Sequence, residues 1–176
     1  FSKQEPDWDK LTILHAWGSA STRGIYSEIA KSSGATILDF ATAKSRFGLG
    51  NAFGGVCEEL LQHLKDQSNI RPVYDVVLID EAQDLPQAFF ELVHLATSAP
   101  KRIVYAYDEL QNLSEYTMQP AEDLFGRKKN GHPNVHLRNE LGQPKRDIIL
   151  PVCYRNTPWA LSTAHGLGFG TARESG

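Results

Sequence analysis

Four apolar residues, Val76-Val77-Leu78-Ile79, run into two adjacent carboxylates, Asp80 and Glu81, with Gln83 and a third acid, Asp84, close behind. A hard divalent cation takes oxygen ligands and keeps several waters when it sits beside phosphates, so a single acid at a strand tip suits magnesium. Asp80 is that candidate metal ligand, and Glu81, one residue on, can orient and deprotonate an attacking water. Phosphoryl transfer asks little covalent chemistry of a protein: metal charge, an aligned water and cations around the transferred group supply most of the rate. The competing reading is structural. Acids ahead of Pro86 can cap a helix, a role that suits Asp84 as well as catalysis does.

Other side chains could complete such a site. Arg155, in the run Tyr154-Arg155-Asn156, offers a planar, permanently charged fork for a phosphate, or otherwise a surface ion pair. Gln111 can donate to a phosphate oxygen while accepting from water or backbone, or simply decorate a helix surface. His15 and Trp17 can stack on unpaired bases, although an indole serves a core equally well. Arg23, Lys44 and Arg46 are scattered cations of the kind usually left in solvent. His132 and His136 fall in a segment with Gly131 and Pro133 and no further ligands, so no zinc site is assigned. Cys57 and Cys153 stand far apart, without a disulfide framework, which fits a reducing, cytoplasmic setting.

The elements that must carry these residues follow from periodicity and punctuation. Residues 10–15 read as a short strand, and 22–31 as a helix that stops at Ser33-Gly34. Val56, Leu60, Leu61 and Leu64 share one face of a helix over 56–65, after a glycine-rich passage from Gly48 to Gly55. The run from Tyr74 to Ile79 reads as a central strand covered on both faces, and Pro86 opens a helix reaching Leu95 with Phe89, Phe90, Leu92 and Val93 available for packing. Residues 101–106 supply another strand. Residues 114–147 are polar and rich in turn formers, an excursion or small insertion at the sheet edge, after which 148–150 resume a strand and Thr157-Pro158 starts a final helix. Alternating strands and helices imply a parallel α/β sheet with helices on both faces and ligands beyond the carboxyl ends of the strands.

At 176 residues the chain can bury one sizeable core and is short for two. A formal net charge of -3 excludes nucleic-acid binding by bulk positive charge, so any such contact must be local. No apolar run approaches the ~20 residues that cross a bilayer, and residues 1–6 lack the pattern of a signal peptide, so no membrane partner is expected. A first residue other than methionine and a polar end behind a helix-like segment are what an excised piece would show.

Asp80-Glu81-Ala82-Gln83-Asp84 resembles the second helicase motif of the UvrD/Rep family of superfamily one. Three more segments follow the family's order. Tyr107-Asp108-Glu109-Leu110-Gln111 resembles the third motif, whose glutamine senses the γ-phosphate and links it to the DNA track, the role that falls to Gln111. The segment from Leu150 to Asn156 resembles the fourth, whose arginine contacts the γ-phosphate, here Arg155. Ile13-Leu14-His15-Ala16-Trp17-Gly18 is similar to the family's DNA-contacting segment, which makes His15 and Trp17 candidates for binding single-stranded DNA. Tyr107 stands where the family has glycine, and Tyr116 is the nearest substitute for the aromatic that stacks on a base after the third motif. The resemblance implies a truncated RecA-like, P-loop NTPase-type fold over residues 1–176. It implies an ATP-dependent DNA helicase that couples Mg-ATP hydrolysis to translocation and unwinding, working with a second motor domain of the same chain.

The phosphate-cradling loop, Gly-x-x-x-x-Gly-Lys-Ser/Thr, is missing from the sequence, and the passage from Gly48 to Gly55 holds no lysine. The chain alone is therefore expected neither to hold ATP and magnesium nor to hydrolyse ATP, activities assigned to the parent protein. Two other classes compete: a helicase-like module without catalysis that binds nucleic acid or protein, and a magnesium-dependent hydrolase using Asp80, Glu81 and Asp84. The latter leaves Gln111 and the Tyr154-Arg155 pair without a purpose.

Overall fold

The structure, a computed structural model, describes residues 5–66, 71–108, 119–150, 152 and 154–168 and divides into two compact units, Phe1–Val135 and His136–Gly176. The first unit is mixed α/β, with helices and a two-stranded parallel sheet.

Residues 10–15 do not form the expected strand. Apart from an isolated bridge between His15 and Gly24, this segment serves helix α1 (Ile25–Ser33): the carbonyls of His15, Ala16 and Trp17 accept the amides of Ile25, Tyr26 and Ser27. Those first-turn amides have no partner inside the helix, so the preceding segment supplies one. The arrangement also delays the helix start from residue 22 to Ile25. Its end follows expectation, with Gly34 at φ 73° sending its amide back to the last turn.

Helix α2 (Phe40–Phe47) was not legible as periodicity, but Asp39 caps it by accepting the Thr42 amide at 2.8 Å. Helix α3 (Ala52–Lys65) starts four residues earlier than its apolar stripe and takes in Gly54 and Gly55. A Cβ at Gly55 would overlap the Phe47 ring, so glycine there lets α2 and α3 approach closely. Gly55→Ala is expected to lower the urea midpoint: overlap costs about 1–3 kcal/mol, against about 1 kcal/mol of helix propensity in alanine's favour. A raised midpoint would show that Phe47 moves aside freely.

Strand β1 (Tyr74–Ile79) occupies its expected residues. Helix α4 (Gln87–Ala96) follows with Pro86 at its N-cap, and strand β2 (Thr97–Tyr105) returns parallel to β1, pairing Val77 with Ile103 and Ile79 with Tyr105. Parallel strands need such a crossover. Lys101 donates to the carbonyls of His94 and Thr97, closing the end of α4.

The sheet departs from a central, doubly covered one. Val77 and Ile79 are buried, but Val76, Leu78 and Val104 on the other face are 52%, 69% and 60% exposed, so among the described residues helices cover one face only. The core runs from Tyr26 and Ile29 of α1, through the predicted stripe of α3, to Phe89, Phe90, Leu92 and Val93 of α4. Part of the expected polar excursion joins it: helix α5 (Ala121–Leu124) buries Ala121 and Leu124, and Phe125 packs against Phe90 and Tyr105.

Arg23 donates to Glu28, which also accepts from the Tyr74 hydroxyl at 3.2 Å, tying α1 to β1. The Arg23 hydrogen bond holds the Glu28 carboxyl below its ordinary value of 4.5, while burial raises the Tyr74 phenol. A carboxyl depressed in the folded state contributes stability above the unfolded pKa and loses it as pH falls through the folded one. Glu28→Gln is therefore expected to lower stability at neutral pH and to flatten its decline below about pH 4.5 in denaturation series at several pH values. Parallel wild-type and variant curves would refute the clamp.

In the second unit, Ile148, Ile149 and Leu150 are 65%, 85% and 85% exposed and form no strand among the described residues. Three apolar residues do not make a strand without a neighbouring ladder to take their amides and carbonyls. Asn139 organises the preceding turn by accepting the Arg146 amide at 2.8 Å. Helix α6 (Pro158–Gly168) begins as expected, with Thr157 accepting the Ala160 amide. Among the described residues no helix is long and apolar enough to cross a membrane.

Candidate active site

Because β1 and β2 are parallel and end in register at Ile79 and Tyr105, their carboxyl ends share one edge. Asp80 and Glu81 leave β1 there, and Ala106, Tyr107 and Asp108 leave β2. The Ala106 amide donates to Ile79 and the Ala82 amide to Ala106, each at 2.9 Å, lacing the two exits together.

Glu81 has φ 50° and ψ 45°, and among the described residues it is the one non-glycine residue with positive φ. That conformation costs a residue with a Cβ roughly 1–2 kcal/mol, and strain of this kind persists where the surroundings hold it, often at functional sites. Here the Glu81 amide donates to Asp80 Oδ1 at 3.1 Å, and the Glu81 carbonyl accepts from Asp84 across the single 3-10 turn Ala82–Asp84. The Glu81 carboxylate accepts from Gln83 Nε2 at 2.7 Å.

Gln83 is 1% exposed, and its Oε1 accepts the Asp108 amide at 3.1 Å. A carboxylate cannot donate and an amide N–H cannot accept, so these two partners fix which way the side-chain amide faces. Nothing in the sequence pattern singled out Gln83 beyond its place between Glu81 and Asp84.

Asp80, Glu81 and Asp84 are exposed, so water solvates them, and the interest of the pair lies in its geometry rather than in a desolvation cost. Asp84 does not cap α4, which has Pro86 at its N-cap and no side-chain cap. No three His, Cys, Asp or Glu side chains converge as a metal cage among the described residues. Magnesium beside phosphates needs only one or two carboxylates, so Asp80 keeps its candidacy.

The remaining candidates divide. Gln111 and Tyr116 lie outside the described residues. Arg155 is exposed in the second unit, just ahead of α6. His15 is exposed. Trp17 is engaged in packing instead of being offered to a base: its ring stacks on Phe53 at 5.1 Å, meets Phe40 edge-on, and its Nε1 donates to the Leu38 carbonyl at 3.2 Å. Arg46 pairs with Glu59 and lies over Phe47, while Lys44 is exposed. Tyr107, at the position where glycine was expected, stacks on Tyr105 with ring centroids 6.1 Å apart.

Comparison of the chain with protein families, with curated proteins and with solved structures finds no match.

Proposed function

We propose that this chain belongs to the first, RecA-like motor domain of a UvrD/Rep-like DNA helicase, a protein that hydrolyses ATP with magnesium to move along single-stranded DNA. The observation that carries the reading is Glu81: a carboxylate in a left-handed conformation, clamped by the buried amide of Gln83 at the shared carboxyl edge of two parallel strands. That is the edge where ligands of parallel α/β sheets gather.

In this reading Asp80 would hold magnesium, which would supply positive charge beside the phosphates. Glu81 accepts a proton from the attacking water and aims it. Gln111 would sense the γ-phosphate and Arg155 would stabilise its charge. His15 contributes to the DNA contact, a role from which the packing of Trp17 withdraws the indole. The phosphate loop and the second motor domain come from elsewhere in the parent protein. The test is DNA-stimulated ATPase activity of the full-length protein and of its Glu81→Gln variant; a full-length protein without such activity would leave a binding module in the motor's place.

A further inference from the structure

We propose that Gln83 is a positioning residue that couples the Glu81 carboxylate to the backbone leaving β2 at Asp108. Its side chain spans two segments 25 residues apart, donating to Glu81 at 2.7 Å at one end and accepting from the Asp108 amide at 3.1 Å at the other. Ala82, its neighbour, makes a parallel link through backbone, its amide donating to Ala106. The Gln83 side chain is buried while Glu81 and Asp108 are exposed, so the amide is the fixed centre of the link, and a hydrogen bond to a carboxylate is among the stronger kinds. A displacement of Glu81 toward a water, a metal or a phosphate therefore pulls on Gln83 and changes the hydrogen bond at Asp108. Asp108 opens the segment that runs on to Gln111, so what happens at the tip of β1 is registered where β2 exits. The catalytic meaning of this link rests on the role proposed for Glu81, but the link itself requires no nucleotide.

Amide hydrogen exchange at Asp108, read by NMR on this chain without nucleotide, tests it. Glu81→Ala is expected to speed that exchange about three- to tenfold, because Gln83 loses its hydrogen bond to the Glu81 carboxylate. Gln83→Met, similar in length but without polar ends, should speed it at least as much, and adding Glu81→Ala to Gln83→Met should then do nothing more. Asp84→Ala, on the same exposed turn, should leave Asp108 unmoved. Unchanged exchange in Glu81→Ala would overturn the coupling, as would an equal response to Asp84→Ala. So would a full Glu81→Ala effect in the Gln83→Met background. Should Gln83→Met fail to fold, the comparison of Glu81→Ala with Asp84→Ala still decides, since both residues are exposed. A coupling seen here alongside unchanged ATPase in the full-length Glu81→Gln variant would separate the link from the motor reading.

Discussion

Replacing Glu81 by glutamine in the full-length protein is expected to lower kcat for DNA-stimulated ATP hydrolysis by about 10²–10⁴-fold, the range a positioned general base contributes. The amide keeps nearly the shape of the carboxylate, and its oxygen can still accept from Gln83 Nε2, so the turn at Ala82–Asp84 is preserved. What it loses is the basic lone pair and the negative charge. In the proposed motor KM for ATP should change little, since there binding would rest on a phosphate loop and on Asp80 rather than on Glu81. A drop in kcat with KM held identifies an interaction made in the transition state. Turnover equal to wild type would remove Glu81 from the chemistry and leave the left-handed conformation without a catalytic purpose.

The largest stability effect is expected at Phe90. Its side chain is 0% exposed and meets Phe89, Tyr105 and Phe125 edge-on, with centroids 5.8–6.1 Å away, joining α4 to β2 and to the segment behind α5. Phe90→Ala removes the ring and leaves a cavity that rigid neighbours fill only in part, at a cost of about 3–5 kcal/mol. Domains of this size are stable by roughly 5–15 kcal/mol, so the variant should unfold at a much lower urea concentration. A midpoint close to wild type would show that the aromatic cluster collapses around the gap. Because Tyr105 also supports Tyr107, the loss should extend to the exit of β2 next to Asp108.

Much of this was readable in the residues. The apolar run of β1, its abrupt end in Asp80 and Glu81, the stripe of α3 and the aromatic positions of α4 emerge where local pattern and tertiary environment agree. Other features depend on partners far along the chain. Residues 10–15 have the composition of a strand, but among the described residues no neighbour completes a ladder, and the carbonyls of His15–Trp17 serve the amides of α1 instead. Ile148-Ile149-Leu150 has the composition without the ladder as well. Trp17 could face solvent or core by type alone, and the placement of Phe53 and Leu38 decided for packing. Phe125, in a stretch dominated by polar residues and turn formers, is buried because Phe90 and Tyr105 leave an aromatic space for it.

The residues by themselves determined where β1 ends, because an apolar run that stops at carboxylates records the end of a strand wherever the rest of the chain goes, whereas the covering of only one of its faces did not show in them. Only the tertiary structure decided that this end meets the exit of β2, that Glu81 takes a left-handed conformation, and that a buried glutamine joins the two exits. The reason is physical: hydrophobic patterning is local in sequence, whereas a hydrogen bond between residues 25 apart exists only once the fold has brought its two ends together and buried Gln83.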